Sequence, residues 1–174
     1  MKRDNMDDLP EVSLPDGYTL RTSTIEDGCH WARIMNESFG GERSEKDFIE
    51  QMVNHPAYRP DRLFFICGPD GEPCATAGAY RDANNLVNSE GYLHYVGVCP
   101  AHQGKRLGYL VSLAVLHKFH EEGCMSASLL TDDYRLPAIK TYLKLGFKPL
   151  IVHENQPERW RIVYRNIGKE EYNG

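Results

Sequence analysis

The sequence predicts an α/β or α+β domain in which a mixed, mostly antiparallel sheet of about six to seven strands is flanked by about four helices. Three observations lead there. Short alternating or β-branched runs bounded by turn residues recur along the chain, and longer stretches with apolar residues at helical spacing fall between them. One strand also runs through a glycine-bearing loop into a long helix, which marks a parallel crossover among hairpins.

Residues 1–15 read as an N-terminal arm and 16–174 as a single domain, with Pro15-Asp16-Gly17 as the turn between them and Tyr18 to Arg21 as a first strand. Thr24 with Asp27, and Ser44 with Asp47, place a hydroxyl three residues before an acid, the pattern of a helix cap. The helices they open carry Trp31, Ile34 and Met35, then Phe48, Ile49 and Met52, on inner faces, with Phe39-Gly40-Gly41 as the bend between. Leu63 to Cys67 and Cys74 to Tyr80 flank Pro69-Asp70-Gly71 as a hairpin, and a loop follows at Asp82 to Asn88. Gly91 to Val98 is an aromatic and β-branched strand stopped by Pro100, with Gly97 marking a bulge or a close backbone approach. A helix runs from about Leu107 to Glu122 and stops at Gly123. Ala127 to Thr131 is a strand, Pro137 to Leu145 a helix closed by Gly146, and Phe147 to Val152 and Trp160 to Tyr164 are closing strands.

Composition bounds the function. A chain of 174 residues with 41% apolar and 26% charged residues builds its own core, without a disulfide frame or structural metal. Five cysteines, odd in number and widely spaced, suit reduced thiols in a cytoplasm. No run reaches the roughly 20 apolar residues that span a bilayer. A net charge of −5 speaks against a nucleic-acid partner, which requires a basic face. That charge is unevenly spread: residues 1–100 hold 9 basic and 17 acidic side chains, and residues 101–174 hold 11 basic and 8 acidic.

The segment His102-Gln103-Gly104-Lys105-Arg106-Leu107-Gly108 joins a strand end to a helix start. Such a turn leaves the first helical N–H groups unpaired at the positive end of the macrodipole, so it attracts an anion. Gly104 and Gly108 let an anion approach the main chain, while Lys105 and Arg106 add diffuse positive charge. A P-loop is excluded because Arg106, not Ser or Thr, follows Gly104-Lys105, and the glycines do not follow a dinucleotide-binding spacing.

With Val98-Cys99-Pro100 before it, the run Gln103-Gly104-Lys105-Arg106-Leu107-Gly108 resembles the acyl-CoA signature of the GCN5-related N-acetyltransferase (GNAT) superfamily. Ala138-Ile139-Lys140-Thr141-Tyr142-Leu143-Lys144-Leu145-Gly146-Phe147 resembles that family's second motif throughout. The resemblance covers residues 16–167 and is strongest over 91–150. Two positions depart from it: Arg106 stands where the signature has its central glycine, and Arg135 where an asparagine is common.

The resemblance implies a sheet splayed at the acyl-CoA-binding strand, acetyl-CoA as co-substrate and no metal. It implies that Val96, Val98, Gln103, Gly104, Lys105, Arg106, Leu107, Gly108 and Arg135 contact the coenzyme. A backbone N–H near Val96 would meet the thioester oxygen as charge develops on it, and Tyr142 would protonate the departing thiolate. His94 resembles the family's base for removing a proton from the amine. A hydrogen-bonded core histidine is the other reading of that position, and Glu90 is the reserve base. The acceptor would be the primary amine of a small molecule or peptide, with Glu37 and Phe39, and beside them Glu42 and Arg43, along its wall. The family also implies a monomer or homodimer. The competing class is a non-catalytic acyl-CoA-binding sensor or interaction module on the same fold, which Arg106 and Arg135 would mark. The acidic excess of residues 1–100 predicts a cationic acceptor.

Overall fold

A computed structural model describes residues 1–81 and 90–169, so the loop expected at Asp82 to Asn88 lies outside the described residues. The six strands are β1 (Lys2–Arg3), β2 (Thr19–Thr22), β3 (Leu63–Cys67), β4 (Pro73–Tyr80), β5 (Glu90–Val98) and β6 (Ser126–Ser128). They form one sheet in the order β1-β6-β5-β4-β3-β2, antiparallel throughout except for β5 with β6. The helices are α1 (Gly28–Phe39), α2 (Glu45–Phe48), α3 (Leu107–Glu121), α4 (Leu136–Lys144) and α5 (Gln156–Asn166).

Local chemistry sets most of these boundaries. Thr24 and Asp27 close a capping box on a 3₁₀ turn that leads into α1, and Ser44 and Asp47 close another at α2, which continues as a π-type turn over Ile49–Val53. Trp31, Ile34, Met35, Phe48 and Met52 are fully buried, as their spacing predicts. α3 is apolar almost all round because it crosses the centre of the sheet, with Val111, Leu113, Val115, Leu116 and Phe119 sealed from solvent. It packs on β3, β4 and β5, while α1 packs on β4 and β5 from the other face. A methyl group added at Gly91 would strike Phe119 of α3, whereas one at Gly97 would strike Met35 and Ile34 of α1.

Three expectations need correction. Trp160 to Tyr164 is not a strand but the middle of α5. Pro157 in its first turn and the helical spacing of Trp160, Val163 and Ile167 set it, and Val163 and Ile167 pack on Ile139 of α4. Phe147 to Val152 makes one bridge, Lys148 with Lys2, because Pro149 has no N–H to continue a ladder, and Leu150, Ile151 and Val152 stay exposed. The sheet edge there comes instead from the segment read as an arm. Lys2 and Arg3 form β1, and Met1 and Met6 are buried in the core. Two paired residues are too few to show a period in sequence.

Candidate active site

The site begins with a fault in β5. Gly78 pairs with His94 and Thr76 with Gly97, so two residues, Tyr95 and Val96, stand against Ala77 alone. Tyr95 takes the left-handed conformation, φ 51°, that this bulge requires. The extra residue reverses the alternation. Gly91 faces α3 and Gly97 faces α1, although six residues apart they would share a face in an unbroken strand. The bulge therefore separates His94 from Val96 and Val98 and lies two residues before the glycine that suggested it. Gly97 owes its identity to the close approach of α1.

The second feature is a splay. β5 pairs with β6 only at Glu90, Gly91 and Tyr92, so from Leu93 onward its backbone on that side leaves the sheet ladder. Beside this edge opens a cleft of about 850 Å³. Its floor is residues 93–98, one end is the start of α3 with Gln103, Gly104, Arg106, Leu107 and Gly108, and one wall is α4 with Arg135, Ala138, Thr141 and Tyr142. The opposite wall is α1 and its bend, with Met35, Ser38, Phe39 and Arg43.

The α3 end of the cleft has the geometry of an anion cradle. Gly104 has φ 79° and open space where a Cβ would stand. Arg106 caps α3 at φ 62°, which explains why this position favours glycine, and the first helical hydrogen bond runs from Leu110 N–H to Arg106 O. The amides of Leu107, Gly108 and Tyr109 thus have no intrahelical acceptor. The Arg106 guanidinium rests 5.0 Å from the Tyr109 ring centre. Pyrophosphate oxygens fit this arrangement, and the unpaired edge of β5 fits an extended amide-bearing arm as an added strand.

Tyr142 projects from α4 into the cleft, is 7% exposed, and forms no hydrogen bond through its phenol among the described residues. Burial pushes that phenol up to about 12, so it is protonated at neutral pH. His94 also lines the cleft, within a cluster of Tyr80, Tyr92 and Tyr95, whose ring centres lie 5.0, 5.3 and 3.9 Å away. Burial, with a smaller contribution from His55, lowers its imidazole to about 4 and keeps it neutral.

The cleft gathers Val96, Val98, Gln103, Gly104, Arg106, Leu107, Gly108, Arg135, Tyr142, His94 and Phe39. It does not gather Lys105, whose ammonium turns back to Ala101 O, or Glu37, which faces Arg33 at 3.7 Å. Glu90 is excluded as a base: it lies at the far end of β5 on Lys2 and Ser126. Burial opposes its ionisation, but Lys2 and the serines outweigh that and hold the carboxyl below its ordinary range. Ser38, Tyr95, Tyr109 and Thr141 also line it without a sequence signal of their own, apart from Thr141 standing next to Tyr142. The charged lining among the described residues is Arg43, Arg106, Arg135 and Asp132, so the acidic excess of residues 1–100 does not reach the cleft.

A mixed six-stranded sheet that splays at β5 beside the start of α3 gives the chain a GNAT-type topology. The chain belongs to the acetyltransferase (GNAT) family, whose model matches residues 29–147. It is 32% identical over 152 residues to the mycothiol acetyltransferase of Nocardia farcinica, covering 81% of this chain and 48% of that protein. With the mycothiol acetyltransferase of Thermomonospora curvata it is 29% identical, over 80% of this chain and 47% of the other. The chain thus spans about half the length of these curated relatives. Among solved structures it resembles the ribosomal-protein-S18-alanine N-acetyltransferase of Escherichia coli, with a TM-score of 0.65, 20% identity and coverage of 79% and 82% of the two chains. A GCN5-related N-acetyltransferase from Sphaerobacter thermophilus gives a TM-score of 0.64 at 16% identity, covering 98% of this chain and 47% of that one. The fold is one that supports acetyl-CoA-dependent acetyl transfer. Among the described residues no helix is long and apolar enough to cross a membrane, and no cluster of three His, Cys, Asp or Glu could hold a metal.

Proposed function

We propose that this chain is an acetyl-CoA-dependent N-acetyltransferase that passes the acetyl group to a primary amine of a small molecule or peptide by direct attack on the thioester. The observation that carries the reading is Tyr142: a buried, protonated phenol without a hydrogen-bond partner among the described residues, facing the open edge of β5. Acetyl-CoA would supply an activated acyl group, its phosphates against Gly104, Arg106 and the α3 amides. The Val96 region would offer a backbone N–H to the carbonyl oxygen. As the amine nitrogen bonds to the carbonyl carbon and the carbon–sulfur bond breaks, Tyr142 gives its proton to sulfur. The proton shed by nitrogen goes to water or to neutral His94.

Tyr142→Phe tests this. It should lower turnover about 100-fold or more while the dissociation constant for acetyl-CoA stays within twofold, with free thiol release across an amine panel as the assay. Normal turnover by this variant would remove the acid role. Coenzyme binding by the parent protein with no turnover on any amine would instead support the non-catalytic acyl-CoA module.

A further inference from the structure

The cation on the acceptor wall has no ion-pair partner within 4.0 Å among the described residues. Of the four charged side chains in the cleft, Arg106 belongs to the α3 end, and Arg135 and Asp132 bind each other at 3.0 Å. Arg43 remains. It is half-buried on the bend after α1, and its guanidinium makes one hydrogen bond, to Gly40 O at 3.0 Å, with no carboxylate within 4.0 Å among the described residues. Asp47 is engaged by the Ser44 amide and hydroxyl in the α2 cap, and the Arg43 charge is only the smallest of the causes that hold its carboxyl down. Glu37 turns to Arg33, and Glu42 does not line the cleft.

Arg43 is also held in place. The Asn36 side chain accepts from Arg43 N–H and donates to Arg43 O, both at 2.8 Å, so α1 fixes the backbone that carries the guanidinium. Its positive field reaches the Tyr95 phenol, on the floor of the same cleft beside His94. A positioned, half-buried guanidinium with donors left over beyond its bond to Gly40 O matches a carboxylate or phosphate.

We infer that the acceptor amine carries an anionic group, a carboxylate or a phosphate, which Arg43 pairs with while the amine faces the β5 edge. This rests on the transferase reading and replaces the cationic acceptor expected from the overall charge. The deciding experiment compares matched amines with acetyl-CoA: 4-aminobutyrate against 4-aminobutyramide for carboxylate, and 2-aminoethyl phosphate against 2-methoxyethylamine for phosphate. At least one anionic member should exceed its neutral partner about tenfold or more in kcat/KM, and the favoured pair identifies the anion. Arg43→Gln should bring that ratio close to one through a higher KM, Arg43→Lys should keep part of it, and added salt should shrink it.

Equal use of neutral and anionic amines, or a ratio untouched by Arg43→Gln, overturns the inference. Calorimetry of the same amines with the CoA-saturated protein separates the two readings. Anion-selective binding that depends on Arg43, with no acetyl transfer, keeps the anion site and removes the transferase. Transfer without anion selectivity does the reverse.

Discussion

The guanidinium of Arg135 lies 4.4 Å from the centre of the Phe39 ring, so the first residue before α4 is stacked on the last residue of α1 across the mouth of the cleft. Asp132 holds Arg135 from behind at 3.0 Å and keeps the guanidinium over the ring. A partly exposed stack of this kind is worth about 0.5–1 kcal/mol. Phe39→Leu and Arg135→Gln combined in a double-mutant cycle should show a coupling of that size in denaturant unfolding, and strict additivity would mean that the two walls are not tied together there.

Arg106 stands at φ 62° where the related signature has glycine. A side chain in that conformation costs roughly 1–2 kcal/mol, partly offset because glycine adds freedom to the unfolded chain. Arg106→Gly should therefore stabilise the fold by roughly 0.5–1 kcal/mol, a rise of about 1–4 °C in the melting midpoint. The same change removes a cation from the coenzyme end, so acetyl-CoA affinity should fall and lose part of its salt dependence. Lys105→Ala should affect affinity less, since that ammonium points to Ala101 O and away from the cleft. Calorimetry at two salt concentrations checks the order of the two variants.

His94 links the site to pH. Its imidazole is lowered from 6.5 to about 4 by burial, so between those values the unfolded chain binds a proton that the folded chain does not. The stabilising contribution of this group is complete above pH 6.5 and is lost as pH falls toward 4. The parent protein should accordingly lose more stability between pH 7 and pH 5 than His94→Phe does, measured by urea unfolding at both values. Because Tyr142 is pushed up to about 12 and His94 down to about 4, turnover should show the ionisation of neither group between pH 6 and 9. The rise on the acid side should follow the amine substrate's own deprotonation. A His94 imidazole titrating near 6.5 by NMR would contradict both expectations.

The parts of this site that lie in consecutive residues were legible in the sequence. Gln103 to Gly108 and Ala138 to Phe147 are local patterns, and each forms one side of the cleft. His94 shows the limit. Strand alternation alone would put it on one face with Val96 and Val98, but the register shift at Tyr95 and Val96 depends on how β4 pairs with β5, a long-range fact. Charge misled for a related reason. Many acids of residues 1–100 are engaged locally, Glu37 with Arg33, Asp27 with Arg21 and Asp47 in a cap, so a sum over the chain did not describe the cleft. The strand expected at Trp160 to Tyr164 failed because a short apolar run fits both periods, and only Pro157 and the packing of Val163 and Ile167 on Ile139 decide for the helix.

Gly91 and Gly97 stand on either side of the β5 bulge and face opposite layers, which makes them a matched test of how the sheet is wedged between α1 and α3. A Cβ at Gly91 would lie 2.5 Å from Phe119 ring atoms, in a sealed aromatic that has nowhere to turn. A Cβ at Gly97 would lie 2.6 Å from Met35 Cε, 2.9 Å from Ser38 Oγ and 3.1 Å from Ile34 Cγ2. The thioether end of Met35 can move aside, but Ser38 and Ile34 belong to the body of α1. Overpacking costs typically about 1–3 kcal/mol, so Gly91→Ala should fall at or above the top of that range and Gly97→Ala nearer its middle. Function should follow the reverse order. α1 is a wall of the cleft, and pushing it outward moves Met35, Ser38 and Phe39 relative to the β5 edge, whereas Phe119 lies remote from the cleft lining. Gly97→Ala is therefore expected to raise KM for the amine at least several-fold at a modest loss of stability, and Gly91→Ala to lower stability with KM little changed. Urea unfolding together with steady-state kinetics on both variants decides the matter, and a larger kinetic effect at Gly91 would mean that α3, not α1, sets the width of the cleft.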